Sequence, residues 1–227
     1  MRFAAALFAA ALSLFAASAL LADPAVNLPA SARGNEPGWS VTVDSGLLVF
    51  QGMDGTRIDL TLPKVEAVDG GTKFSANLAV TLTHVLCRDT MSGMPHPMTA
   101  VVETGGQTLN GCAGAPGDLL AGDWSVTSVA GAKVEDPVLV TIGFDPATGG
   151  VSGGSGCNRF FGGFTLTGEG LSFGKGMGGT MMMCEDAQMK TERSFLDTVP
   201  KVTGFDIDAD GALLLKAGAD TVITAKR

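Results

Sequence analysis

Apolar and polar positions alternate with a period of two over much of the chain, the signature of half-buried strands. Trp39, Val41 and Val43 share one face, and Ile58, Leu60 and Leu62 share another. Leu78, Val80, Leu82, His84 and Leu86 alternate with Ala79, Thr81, Thr83 and Val85, which predicts one long strand that delivers Cys87 at its end. Further on, Trp124 and Val126 open a strand, and Val138, Val140, Ile142 and Phe144 alternate over the next. Residues 164–166 and 171–173 flank a turn at Gly168-Glu169-Gly170, residues 204–216 form a hairpin turning at Asp210-Gly211, and residues 221–224 close the sheet. Asn110-Gly111 predicts a turn before Cys112, and residues 149–156 read as a glycine-rich turn.

One stretch departs from this period. Residues 184–199 predict a helix, with Glu185 and Asp186 early and Pro200 as its stop. Met189, Phe195, Leu196 and Val199 fall on one side, with Glu192 intruding among them, so this helix packs on a sheet by an imperfect stripe. The small, breaker-rich stretch from Ala113 to Gly117 is a boundary. The fold class is therefore mainly β (β-rich α+β): two small antiparallel β-barrel-like or curled-sheet domains, at 34–114 and 118–227, the second packing one α-helix.

The first 22 residues change the setting. Arg2, an apolar run from Ala4 to Leu21 and small residues at its end make a secretory signal peptide. Cleavage follows Ala22 or the Ala17-Ser18-Ala19 group. About 18 apolar residues can also just span a bilayer, but the small cleavage residues favour a removable leader and no stable membrane span afterwards. The Ala-rich leader is of Gram-negative type and places the mature chain in the periplasm or outside the cell. Residues 23–33 form a Pro/Ala/Ser linker.

The formal charge is −8, and loss of Arg2 with the leader leaves −9. Such a surface repels phosphate backbones, which excludes nucleic acid as a partner. An envelope protein or a small ligand remains open. Glycine at 32 residues fits many tight turns between short strands.

Four cysteines allow three pairings. Pairing within each half, Cys87 with Cys112 and Cys157 with Cys184, is simplest because each half then folds alone. Each bridge closes a loop of fewer than about 30 residues, worth about 3 kcal/mol from chain entropy. Zinc and redox sites use close C-x-x-C spacing, which this chain lacks.

Chemistry-bearing residues are few. Met91, Met94, His96 and Met98 are soft donors within eight residues and form the candidate site for Cu(I); methionines equally fill core gaps. A second methionine group comprises Met177, Met181, Met182, Met183 and Met189. Asp206-Ile207-Asp208-Ala209-Asp210-Gly211 copies the opening of a calcium loop, but Ala217 stands where the bidentate glutamate belongs, and a wet hairpin explains it better. Gly153-Gly154-Ser155-Gly156-Cys157 lacks the second glycine of a nucleophile elbow, and His84 reads as a half-buried strand residue. No catalytic residue and no cofactor is assigned, and the chain is read as a non-enzyme.

Leu120-Ala121-Gly122-Asp123-Trp124, the run from Gly153 to Phe164 with its Gly156-Cys157-Asn158 centre, and Gly178-Gly179-Thr180-Met181-Met182-Met183-Cys184 together resemble the META domain (HslJ-like) over residues 118–227. The resemblance implies an antiparallel sheet curled around a helix and a packing role for the Met181, Met182 and Met183 run. It also implies a heat-shock, envelope-stress or antibiotic-tolerance setting. Gly34-Asn35-Glu36-Pro37-Gly38-Trp39, Cys87-Arg88-Asp89-Thr90-Met91-Ser92-Gly93 and Leu109-Asn110-Gly111-Cys112 resemble a small exported β domain that often precedes META domains. That family has a bulky aromatic where Gly38 stands, so one aromatic contact is missing here.

These readings lead to a non-enzymatic envelope module for binding or stress tolerance, with Asn158, Arg159 and the 94–98 loop as its interaction surface. Two alternatives stand beside it: an inhibitor of a basic envelope hydrolase such as lysozyme, and a periplasmic Cu(I) binder through the Met/His loop.

Overall fold

The computed structural model describes residues 26–61 and 63–227. The leader at 1–22, the start of the linker and Leu62 lie outside the described residues. The rest of the linker is corrected: Ala30–Asn35 is a strand, with Ala30, Ala32 and Gly34 facing inward. Small residues suffice there because the strand sits mid-sheet, where its neighbours supply the bulk.

In the first unit the strands are β1 (Ala30–Asn35), β2 (Gly38–Val43), β3 (Leu47–Gly52), β4 (Arg57–Thr61), β5 (Lys64–Val68), β6 (Gly71–Ser75), β7 (Ala79–Thr83), β8 (Cys87–Arg88), β9 (Pro95–His96), β10 (Met98–Thr104) and β11 (Gln107–Ala113). Nine of them form an antiparallel sheet in the order β4-β3-β2-β1-β11-β10-β7-β6-β5, while β8 and β9 pair with each other. Trp39, Val41, Val43, Leu48, Phe50, Val80, Leu82, Ala100 and Val102 fill its core, the first three and Val80 and Leu82 on the faces that the alternation assigned to them. The predicted strand through residues 78–86 is shorter than expected: β7 stops at Thr83, and His84 and Val85 are exposed beyond it. A backbone bond from Val85 N–H to Thr83 O turns the chain there. Asn110-Gly111 lies inside β11, and the turn falls at Gly105-Gly106, both with positive φ.

A short helix α1 (Pro116–Leu120) joins the units. The second unit follows with β12 (Gly122–Val129), β13 (Ala132–Lys133), β14 (Leu139–Asp145), β15 (Gly150–Gly156), β16 (Arg159–Thr167), β17 (Gly170–Phe173), β18 (Gly178–Gly179), α2 (Asp186–Thr198), a single 3-10 turn at Val199–Lys201, β19 (Gly204–Ile207), β20 (Leu213–Ala217) and β21 (Asp220–Lys226). Its sheet runs β17-β16-β15-β14-β12-β21-β20-β19. Leu171 N–H donates to Thr203 O at 3.1 Å, so the two ends of the curled sheet meet. Phe195 and Val199 are fully buried against it. The fold is thus β-rich, with two α-helices among the described residues.

Residues 150–156 are a full strand rather than a turn. Glycine permits it. A Cβ on Gly153 would lie 2.1 Å from the Thr141 carbonyl, so only a bare backbone can approach β14 this closely.

Candidate functional site

A buried polar centre, a hydrogen-bonded surface loop and a cleft organise the molecule. The polar centre lies where α2 meets β15 and β16. Glu192 projects from α2 into this junction, and its carboxylate accepts Ser155 Oγ at 2.7 Å, Asn158 N–H at 2.7 Å and Asn158 Nδ2 at 2.9 Å. Asn158 Oδ1 accepts Thr180 Oγ1 at 2.8 Å and Met182 N–H at 2.6 Å, and its Nδ2 also reaches Met182 O at 3.2 Å. Burial pushes the Glu192 carboxyl up, but the hydrogen bonds from Ser155, Asn158 and the Cys157 backbone outweigh it and hold the group below its ordinary value. The Cys157–Cys184 disulfide ties the same two segments covalently. Glu185 and Gln188 form a capping box at the start of α2.

Asn158 is therefore a buried crossbrace, with its polar atoms committed to α2 and the 180–182 segment. Its expected place on an interaction surface is corrected. Arg159, the next residue, is exposed. Glu192 carried a readable signal: an acid on the apolar side of a helix needs internal donors if it is to stay charged.

The surface loop runs from Cys87 to Met98, held to β11 by the Cys87–Cys112 disulfide. Asp89 shapes it. Its Oδ1 accepts Met91 N–H, Ser92 N–H and Ser92 Oγ, and its Oδ2 accepts Asn35 Nδ2 at 3.0 Å. The Ser92 N–H is the largest influence; with Asn35 and Met91 it outweighs burial and holds this carboxyl far below the usual carboxylate range. Gly93 closes the turn with φ of 72°.

The loop also joins the two units. Arg88 reaches across to the Asp206 carboxylate at 3.0–3.3 Å and to Ile207 O at 2.9 Å. Met94 leaves the first unit altogether and is buried in the core of the second. His96 is buried, with Nδ1 2.9 Å from Gly114 O, so that nitrogen carries the proton. Met98 is buried in the first core, and Met91 is 82 % exposed. The candidate copper donors thus go to solvent, to one core and to the other. Among the described residues no cluster of His, Cys, Asp and Glu is placed to hold a metal. Asp206 is engaged by Arg88, and Asp208 accepts Asp210 N–H and Ala212 N–H in its own turn.

Between the units lies a cleft of about 770 Å³, bordered by Arg33, Asn35, Met94, His96, Phe164 and Leu166 among others. Nothing in the local sequence signals it, because its walls come from separate segments scattered between Arg33 and Gly168.

Residues 117–227 match the family model of the META domain. The C-terminal half of this chain is a META domain. A solved structure, the NMR structure of a protein from Burkholderia xenovorans, is 27% identical over 48% of this chain and 81% of that one, with a TM-score of 0.37. No curated protein matches the chain.

Within the META domain the methionine run departs from the packing role its resemblance implied. Met181 and Met183 are 98 % and 95 % exposed, and Met182 is exposed too. What the domain uses is the Met182 backbone, pinned on Asn158, while the three side chains project into solvent. In the first unit, Met53 occupies the space over Gly38: a Cβ there would meet its Cγ at 2.4 Å.

Proposed function

We propose that this chain is an exported, non-enzymatic binding module that supports envelope stress or antibiotic tolerance. The observation that carries the reading is the clamped pair of units. Two disulfide-closed β units are locked by Arg88 and Met94 around a preformed cleft, the design of a rigid presenter rather than of a moving catalyst. The polar groups that could do chemistry, Glu192, Asn158 and Asp89, already have their hydrogen-bonding capacity occupied inside the fold. Two disulfides fit an oxidising compartment, and among the described residues no helix is long and apolar enough to cross a membrane. The envelope setting follows from the leader and from the META resemblance.

The deciding experiment is survival of a deletion strain under heat and under a cell-wall antibiotic. Loss of survival, restored by the full gene and not by a copy lacking residues 1–22, is the expected result. Equal survival of the deletion and parent strains overturns the proposal.

A further inference from the structure

The cleft between the units carries an arginine that forms no ion pair with any described carboxylate. Arg33 lies on the outward face of β1, opposite Cys112 of β11 and Ser40 of β2, and borders the cleft. Among the described residues its guanidinium takes part in none of the five ion pairs, which engage other arginines and lysines. The one acid that borders the cleft is Asp89; it stays charged, but its oxygens are taken up by Asn35, Met91 and Ser92, and it makes no ion pair with Arg33. Arg159, Arg193 and Arg227 are likewise in none of the five ion pairs; what sets Arg33 apart is its place beside the apolar wall of this cleft.

Its surroundings narrow the ligand. Phe164, Leu166, Met94 and Pro116 give the cleft an apolar wall. His96 is held by Gly114 O through Nδ1–H, which leaves Nε2 as the ring nitrogen outside that bond. A single guanidinium matches one carboxylate in bidentate geometry. A multiply charged anion would meet the acidic surface with no second cation in the cleft to hold it. The volume, about 770 Å³, is within the range of small-molecule sites at domain interfaces.

We propose that this cleft binds a monocarboxylate with an apolar body, its carboxylate on Arg33 and its carbon skeleton against Met94, Phe164 and Leu166. The chemistry has two sources: a free fatty acid, or the C-terminal residue of a peptide. This inference rests on the binding-module reading and gives it a ligand class.

The test is an NMR titration of the isotope-labelled, disulfide-bonded protein with octanoate, N-acetyl-leucine and neutral 1-octanol. Saturable shifts at Arg33, His96, Phe164 and Leu166 are expected with a carboxylate and not with octanol. Arg33→Gln, at an exposed position where the fold tolerates change, weakens the carboxylate by about tenfold or more. Leu166→Gln weakens it through the apolar wall. Tighter binding of N-acetyl-leucine assigns a peptide end, and tighter binding of octanoate a fatty acid. No saturable shift with either acid, equal binding of octanol, or unchanged affinity in Arg33→Gln overturns the site. If the gene still restores survival under stress while its protein binds neither acid, the cleft inference fails and the envelope role stands.

Discussion

At the scale of single residues, Glu192 has the widest reach. Its folded carboxyl titrates below the ordinary value of 4.5, so its contribution is complete above that value and is lost as pH falls through the lower, folded one. Denaturant unfolding followed from pH 7 to pH 3 should therefore show falling stability toward acid. Glu192→Gln should cost about 1.5–3 kcal/mol at pH 7, because a charged acceptor of buried hydrogen bonds is replaced by an amide that turns a donor toward other donors. The variant should also flatten the acid side of the profile; an unchanged slope would remove Glu192 from that account. Gly111 is a second test. A Cβ there would sit 2.1 Å from Arg33 O and 2.7 Å from the Trp39 ring. Gly111→Ala should therefore destabilise by about 1–3 kcal/mol through overpacking, measured by the thermal midpoint. The exposed methionines make a third. Limited peroxide treatment followed by peptide mapping should oxidise Met181 and Met183 well before the buried Met94 and Met98; equal rates would contradict their placement.

At the scale of elements, the 87–98 loop behaves as a clasp, and its two contacts differ in weight. The Arg88–Asp206 pair is largely exposed and contributes at most about 1 kcal/mol. Burial of Met94 matters more, since truncating a buried methionine costs about 2–5 kcal/mol. Met94→Ala should lower the melting temperature of the META domain although residue 94 lies outside it, whereas Arg88→Ala should shift it little. Calorimetry with both variants checks the ranking, and equal effects would refute it.

The same elements mark how far the sequence could be read. Alternation placed β2 and β14 correctly because apolar and small or polar side chains take turns along them, and the Asp210-Gly211 turn placed the hairpin of β19 and β20. Alternation failed for β15, where glycines erase the pattern and the neighbouring strands define the pairing instead. It overextended β7, because alternation continues through His84 and Leu86 after the backbone has turned away. The helix was legible from its charges and stop. The role of Glu192 was visible only as an anomaly in an apolar stripe, and Asn158 looked like a turn residue because its partners lie 22–34 positions away. The clasp and the cleft depend on contacts across more than 100 residues, beyond any local pattern.

At the scale of the molecule, a methionine of the first unit lies in the core of the second, so the halves are unequal partners. The first contributes a side chain to the second core, and the second returns a carboxylate to the first unit's loop. The charge balance is equally lopsided. Most basic side chains are exposed among more numerous acids, and Arg33 is set apart in a concave place.

The lodging of Met94 constrains ancestry as well as stability. A gene break at the natural boundary near Gly114 would separate the META domain from a piece of its own interior and leave a vacant socket on its surface. A domain standing alone would keep that socket open to water unless another side chain filled it. The pair described here cannot be reshuffled as interchangeable beads, because the seam between the two units is stitched from one side into the other.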